Sequence, residues 1–121
     1  MMYTLDANIF ARDIDPTEPF YEVCPALLDT LDKRHIPIIV PNLLLAEVAA
    51  AISRTRRDPM RARLITEAIE AFEHIQLVPL DSALAHEAAE LVADRALRGA
   101  DAVYVAVARR YSCTLVSLDR E

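Results

Sequence analysis

With 121 residues, 54% of them hydrophobic and 26% charged, the chain is sized for one domain (1–121) with a real core, and disorder is excluded. A formal net charge of −6 excludes binding of nucleic acid by bulk positive charge, leaving only a local basic patch or a metal in an acidic site. The single glycine, Gly99, excludes both the dinucleotide fingerprint and the phosphate-cradling P-loop, which need several glycines in a short loop.

The apolar stretches are far short of a bilayer crossing, and the start, MMYTLDANIF, lacks a basic n-region and a long apolar h-region. A cytoplasmic protein without membrane attachment is therefore expected. Cys24 and Cys113 sit among apolar neighbours without CxxC spacing and read as reduced core residues. His35, His74 and His86 are far apart and read as solvated or capping residues.

In chain order, Met2–Leu5 is a short β-leaning run, interrupted at Asp6-Ala7-Asn8, with a helical turn over Ile9–Arg12. Asp13–Pro19 is a loop. Phe20–Arg34 carries one apolar helix face, and Pro25 either kinks it or stands in the first turn of a helix starting near Cys24. Ile36–Val40 is a buried strand. Asn42–Arg54 is helical with Asn42 as N-cap. Asp58 and Pro59 open an amphipathic helix over Met60–Glu73, and Ile75–Leu80 is a third strand. Asp81 or Ser82 caps a helix to about Leu97. Gly99 breaks it, another helix runs to about Tyr111, and Thr114–Leu118 is the fourth strand. This alternation predicts an α/β fold in which helices cover both faces of a parallel sheet. Right-handed crossovers then put the loops after the strands along one carboxyl edge, where a site is expected.

Asp6, Asp81 and Asp119 follow strands. Glu47 lies in the second turn after the second strand, and Asp101 in the first turn before the fourth. From Leu43 to Ile52 every residue but Glu47 is apolar, the pattern of a largely buried helix. A buried carboxylate there must be paired, protonated or bound to a cation. Each acid also has a structural reading: a salt bridge for Glu47, helix capping for Asp101 and Asp6, a strand end for Asp119. Capping accounts fully for Asp81. Four converging carboxylates repel unless something positive sits among them, and the one lysine, Lys33, is remote in sequence. Oxygen-rich donors of this kind suit Mg²⁺ or Mn²⁺, and such ions serve phosphodiester hydrolysis.

With these residues in place, the chain resembles PIN-domain ribonucleases, most closely the VapC-like toxins of toxin–antitoxin pairs. The matching stretches are LDANIF at Asp6, PNLLLAEVAAA at Glu47, LRGADAVYVAVA at Asp101 and LVSLD at Asp119, together spanning residues 3–119. The resemblance implies a three-layer α/β/α fold and an acidic quartet of Asp6, Glu47, Asp101 and Asp119. In that quartet Asp6, Asp101 and Asp119 hold metal most directly, and Glu47 directly or through water. It implies that Asn8 and Ser117 orient acids, waters or substrate. It further implies Mg²⁺- or Mn²⁺-dependent hydrolysis of single-stranded or structured RNA, a cognate antitoxin and a homodimer. The family usually adds a fifth edge strand after the fourth acid, whereas this sequence stops at Glu121; either the sequence is shortened or the edge strand is missing, about four strands are expected, and an uncovered edge beside Asp119 would invite pairing with another chain.

Arg54, Arg56, Arg57, Arg61 and Arg63 lie within SRTRRDPMRAR. They read either as a phosphate-positioning patch or as a solvated surface paired with Glu67 and Glu70. Tyr104, one turn past Asp101, reads as packing. A receiver-like domain would need an acidic pair at Asp6 and a lysine after its last strand. A haloacid-type phosphatase would need aspartate where Asn8 stands. The remaining alternative is a PIN-type module that binds RNA or a partner without cutting.

Overall fold

The computed structural model describes residues 1–12 and 23–117, without the side chains of residues 11, 12, 23–25, 55 and 56. The loop expected at Asp13–Pro19 and the acid Asp119 lie outside the described residues. Within them the order is β1 (Tyr3–Leu5), α1 (Ala7–Arg12), α2 (Val23–Lys33), β2 (Ile38–Pro41), α3 (Leu43–Arg56), α4 (Pro59–Ala71), β3 (Ile75–Val78), α5 (Ser82–Arg95), α6 (Gly99–Arg110) and β4 (Thr114–Val116).

All four strands are parallel, in the order β3-β2-β1-β4. Tyr3 stands opposite both Ile38 and Thr114, so β1 is central, flanked by β2 and β4. Strand β2 shows why a parallel sheet reads as one apolar run. Ile38 and Val40 pack into the core shared with Ile9, Leu44, Val48 and Ile69, whereas Ile39 packs with Leu84, Ala88, Ala102 and Val107 on the other face. Helices α1–α4 thus cover one face, and α5 and α6 the other, in three α/β/α layers. Thr4 is buried in the sheet, and its hydroxyl donates to the Ile39 carbonyl at 2.7 Å, so its polarity is satisfied.

Helix starts differ from the sequence reading at α1 and α3 and agree with it at α2, α4 and α5. Helix α1 begins before Ile9 because the Asp6 carboxylate accepts the Asn8 N–H at 2.9 Å and caps it. Pro25 stands in the first turn of α2, where its missing N–H costs nothing. Asn42 holds the N-cap position of α3 with helical φ and ψ and makes no side-chain cap bond. Asp58 and Asp81 do cap, accepting from Arg61 N at 3.0 Å and Leu84 N at 2.9 Å. Helix α3 is also less enclosed than its composition suggests. Leu44, Val48 and Ile52 form the buried stripe, while Ala46 and Ala50 face solvent.

Gly99 does not end α5 but opens α6, and its φ is not positive. The left-handed turn that ends α5 falls on Ala96, with φ 54° and ψ 34°. An L-alanine there carries a steric cost that glycine escapes. Ala96→Gly is therefore expected to raise stability by about 0.5–1 kcal/mol, net of the added unfolded-state entropy. Gly99→Ala, whose new methyl meets nothing within 4 Å, should gain a similar amount. Urea denaturation midpoints of the two variants check both. A lower midpoint for Ala96→Gly would contradict the left-handed assignment.

Candidate active site at the carboxyl edge of the sheet

The chain leaves β1 toward α1 and, across the sheet order, β4 lies on the opposite side of β1 from β2. The carboxyl ends of β1 and β4 therefore flank a crevice at the point where the strand order reverses, the general location of sites in open α/β sheets. Asp6 stands at that point. It is only 8% exposed. One carboxylate oxygen accepts the Asn8 N–H, and the other accepts the Ser117 hydroxyl. The Asp6 N–H donates to the Val116 carbonyl at 3.3 Å, which fastens the start of α1 to the end of β4.

Two further acids reach the same place from other elements. A cavity of about 340 Å³ is lined by Asp6, Asn8, Glu47, Arg54, Asp101 and Tyr104, with Arg98 at the start of α6. A smaller cleft of about 60 Å³ shares Asp6, Asp101 and Tyr104 and is completed by Ser117 and Leu115. The register of α3 explains Glu47: it sits three residues after buried Leu44 and one before buried Val48, so it is held half-buried at the rim of the core. On α6, Ala102, Val103, Ala106 and Val107 are buried in the second layer, which leaves Asp101 partly open in the first turn.

Tyr104 packs, as its place on the helix predicts: 3% exposed, its body belongs to the α1–α4 core although it stands on α6. Its hydroxyl has a second role, donating to Glu47 at 2.5 Å. Burial pushes the phenol pKa up, the hydrogen bond to Glu47 raises it further, and the charges of Glu47, Asp6 and Asp101 add to both. The hydroxyl therefore stays protonated and remains a donor to the carboxylate. Glu47 thus has a neutral donor as partner, in place of the arginine that a salt bridge would require. No local pattern announces this bond, which spans 57 residues of sequence.

Asp101 pairs with Arg98, Nε to Oδ2 at 3.0 Å, on one helix turn. That contact had a readable signal, an arginine three residues before an acid at a helix start. Of the arginine cluster, Arg54 lines the cavity, Arg57 is exposed at the left-handed end of α3, and the side chain of Arg56 lies outside the described residues.

As donors, the three carboxylates are hard oxygen ligands of the kind that Mg²⁺ or Mn²⁺ takes. Among the described residues, however, no three His, Cys, Asp or Glu side chains stand close enough together to hold a metal ion as they are. The acids share one cavity without meeting at a point.

His35 and His86 are exposed, as the sequence reading expects, but two of the three histidines are not far apart in space. His35 and His74 come together just before β2 and β3, at the amino edge, with Nδ1 and Nε2 3.1 Å apart and the rings edge-on at 5.0 Å. Asp32 lies 3.9 Å from His74. His86 pairs with Glu90 across one helix turn at 3.7 Å. Cys113 is a partly buried free thiol; the side chain of Cys24 lies outside the described residues. An apolar cavity of about 320 Å³ between α2 and α4, lined by Phe10, Leu28, Ile65, Ile69 and Phe72, adds only Asp29 and Asp32 as charged groups and is remote from the carboxyl edge. No helix among the described residues is long and apolar enough to cross a membrane.

No curated protein matches the chain by sequence. Among solved structures it is similar to VapC20 from Mycobacterium tuberculosis, a sarcin–ricin loop cleaving toxin, at 17% identity and TM-score 0.78, covering 97% of this chain and 89% of that one. It is also similar to VapBC2 from Rickettsia felis, bound to a DNA fragment from their promoter, at 18% identity and TM-score 0.71, covering 98% and 89%. These likenesses establish the fold, and residues 3–121 match the PIN domain. A parallel β3-β2-β1-β4 sheet, acids gathered at its carboxyl edge and that match along almost the whole length lead to one conclusion: the chain belongs to the PIN domain family.

Proposed function

We propose that this protein is a metal-dependent endoribonuclease, the toxin of a toxin–antitoxin pair. The observation that carries the reading is the arrival of Asp6, Glu47 and Asp101 from three different elements at one cavity, beside Arg54 and Arg98. The fold shared with a sarcin–ricin loop cleaving toxin supports RNA as substrate, and the likeness to VapBC2 supports a cognate antitoxin as partner. The proposed setting is the cytoplasm, with the protein as a homodimer.

In this reading Asp6, Asp101 and Asp119 hold Mg²⁺ or Mn²⁺, and Glu47 reaches it directly or through water. When bound, the ion supplies phosphate polarisation and an activated water. The chain's own groups do the rest. Ser117 and the Asn8 N–H fix the orientation of Asp6, and Tyr104 fixes Glu47. Arg54, with Arg56 and Arg57 along the same helix end, positions RNA phosphates without reading bases.

A second reading, a PIN-type module that binds RNA or a protein without cutting, is favoured by two observations: among the described residues no three acids stand close enough together to hold a metal ion, and Asp101 is paired with Arg98. Cleavage of a labelled single-stranded RNA separates the two. The nuclease reading expects products in Mn²⁺, loss of cleavage in EDTA, recovery when Mn²⁺ is restored, and no products with Asp101→Ala. Cleavage that persists equally in EDTA and in Asp101→Ala would come from a contaminant and end the nuclease reading.

A further inference from the structure

We infer that Arg98 is an exchangeable counter-ion: it pairs with Asp101 while no metal is held, and binds a substrate phosphate once a metal takes the carboxylate. The inference rests on the metal-dependent reading of the cavity and adds to it a residue that reading does not assign.

Three observations carry it. Arg98 Nε lies 3.0 Å from Asp101 Oδ2, so the guanidinium occupies an oxygen that a cation held by Asp101 would need. The two side chains are 67% and 31% exposed, which makes this the kind of ion pair that water and salt weaken easily. The other two acids are engaged differently. Tyr104 and Ser117 donate from neutral hydroxyls, which orient Glu47 and Asp6 and leave their negative charge in place for a cation. Arg98 instead opposes the cation by charge.

Its position also fits the second half of the exchange. Arg98 is the N-cap residue of α6, in extended conformation, and makes no side-chain cap bond. Its carbonyl accepts the Ala102 N–H at 3.0 Å, so the backbone is fastened while the long side chain stands at the surface of the cavity. A guanidinium displaced from Asp101 stays tethered beside the acids, on the cavity that Arg54 also lines. Its planar set of donors suits a phosphate, which it grips through two parallel hydrogen bonds. Metal and RNA then favour one another: the cation releases the arginine, and the arginine is used by the phosphate.

Arg98→Gln tests this with two readouts that should move in opposite directions. Calorimetric titration with Mn²⁺ alone is expected to show binding about threefold tighter in the variant, the scale of one exposed ion pair. Anisotropy with a fluorescent single-stranded RNA in Ca²⁺ is expected to show binding about tenfold weaker, with a shallower salt dependence. Structural damage would weaken both. Unchanged or weaker Mn²⁺ binding overturns the exchange, as does unchanged RNA affinity. Wild-type protein that takes up no Mn²⁺ at all would instead remove the metal-dependent reading beneath it.

Discussion

Asp6→Asn is expected to raise the dissociation constant for Mn²⁺ by at least about a hundredfold while leaving the fold intact. The side chain is almost fully buried, and both its oxygens are used, one by the Asn8 N–H and the other by the Ser117 hydroxyl. Asparagine can keep the first bond through its carbonyl and offer its amide to the serine oxygen, so the capped start of α1 survives. What disappears is the charge. In EDTA the variant should melt within a few degrees of the wild type or above it, because one of several neighbouring carboxylates has been neutralised. In Mn²⁺ at about a hundred times its dissociation constant, the wild type should gain about 2.7 kcal/mol and the variant almost nothing. Equal thermal shifts with Mn²⁺ in the two proteins would remove Asp6 from the metal site.

Leu44→Ala should be the costliest single truncation on α3, at about 2–5 kcal/mol. Leu44 is fully buried, and with Val48 and Ile52 it forms the stripe that holds α3 against α1 and α4 in the core shared with β1 and β2. Deleting its side chain loses the transfer energy and leaves a void that the close-packed layer only partly fills. For a domain of this size the melting temperature should fall by roughly 10–20 °C. Ala50→Ser, on the exposed side of the same helix, should stay within about 0.5 kcal/mol of the wild type. If the two substitutions cost the same, the helix is rotated from the orientation that places Glu47 at the cavity.

The contrast between these two residues shows what the sequence discloses. Alternating apolar runs revealed four parallel strands and the helices between them, because each run is local and its period is fixed by backbone geometry. The position of an acid just after a strand, or in the first turns of the next helix, was enough to send Asp6, Glu47 and Asp101 to one sheet edge. Burial was harder to read. The alanines of α3 suggested enclosure on all sides, yet small residues are tolerated in solvent as readily as in a core, and Ala46 and Ala50 are exposed. Contacts between distant elements were not legible at all. Nothing in the neighbourhood of His35 announces His74, and nothing near Glu47 announces the hydroxyl of Tyr104. The left-handed conformation at Ala96, His35, Arg57 and Ser112 is not legible either, because a residue with a Cβ gives no local signal for it, although the helix ends themselves fall within two residues of the sequence reading.

The pairing of β1 with β4 bears on the order of events in folding. Tyr3 stands opposite Thr114, and Asp6 meets Ser117 across 111 positions of sequence. Such a contact closes only after nearly all the chain between has been made, and it carries the loop-closure entropy of that whole length. Strands β2 and β3 and the helices between them involve shorter loops than the crevice between β1 and β4. The acid that anchors the site therefore gains its serine partner last.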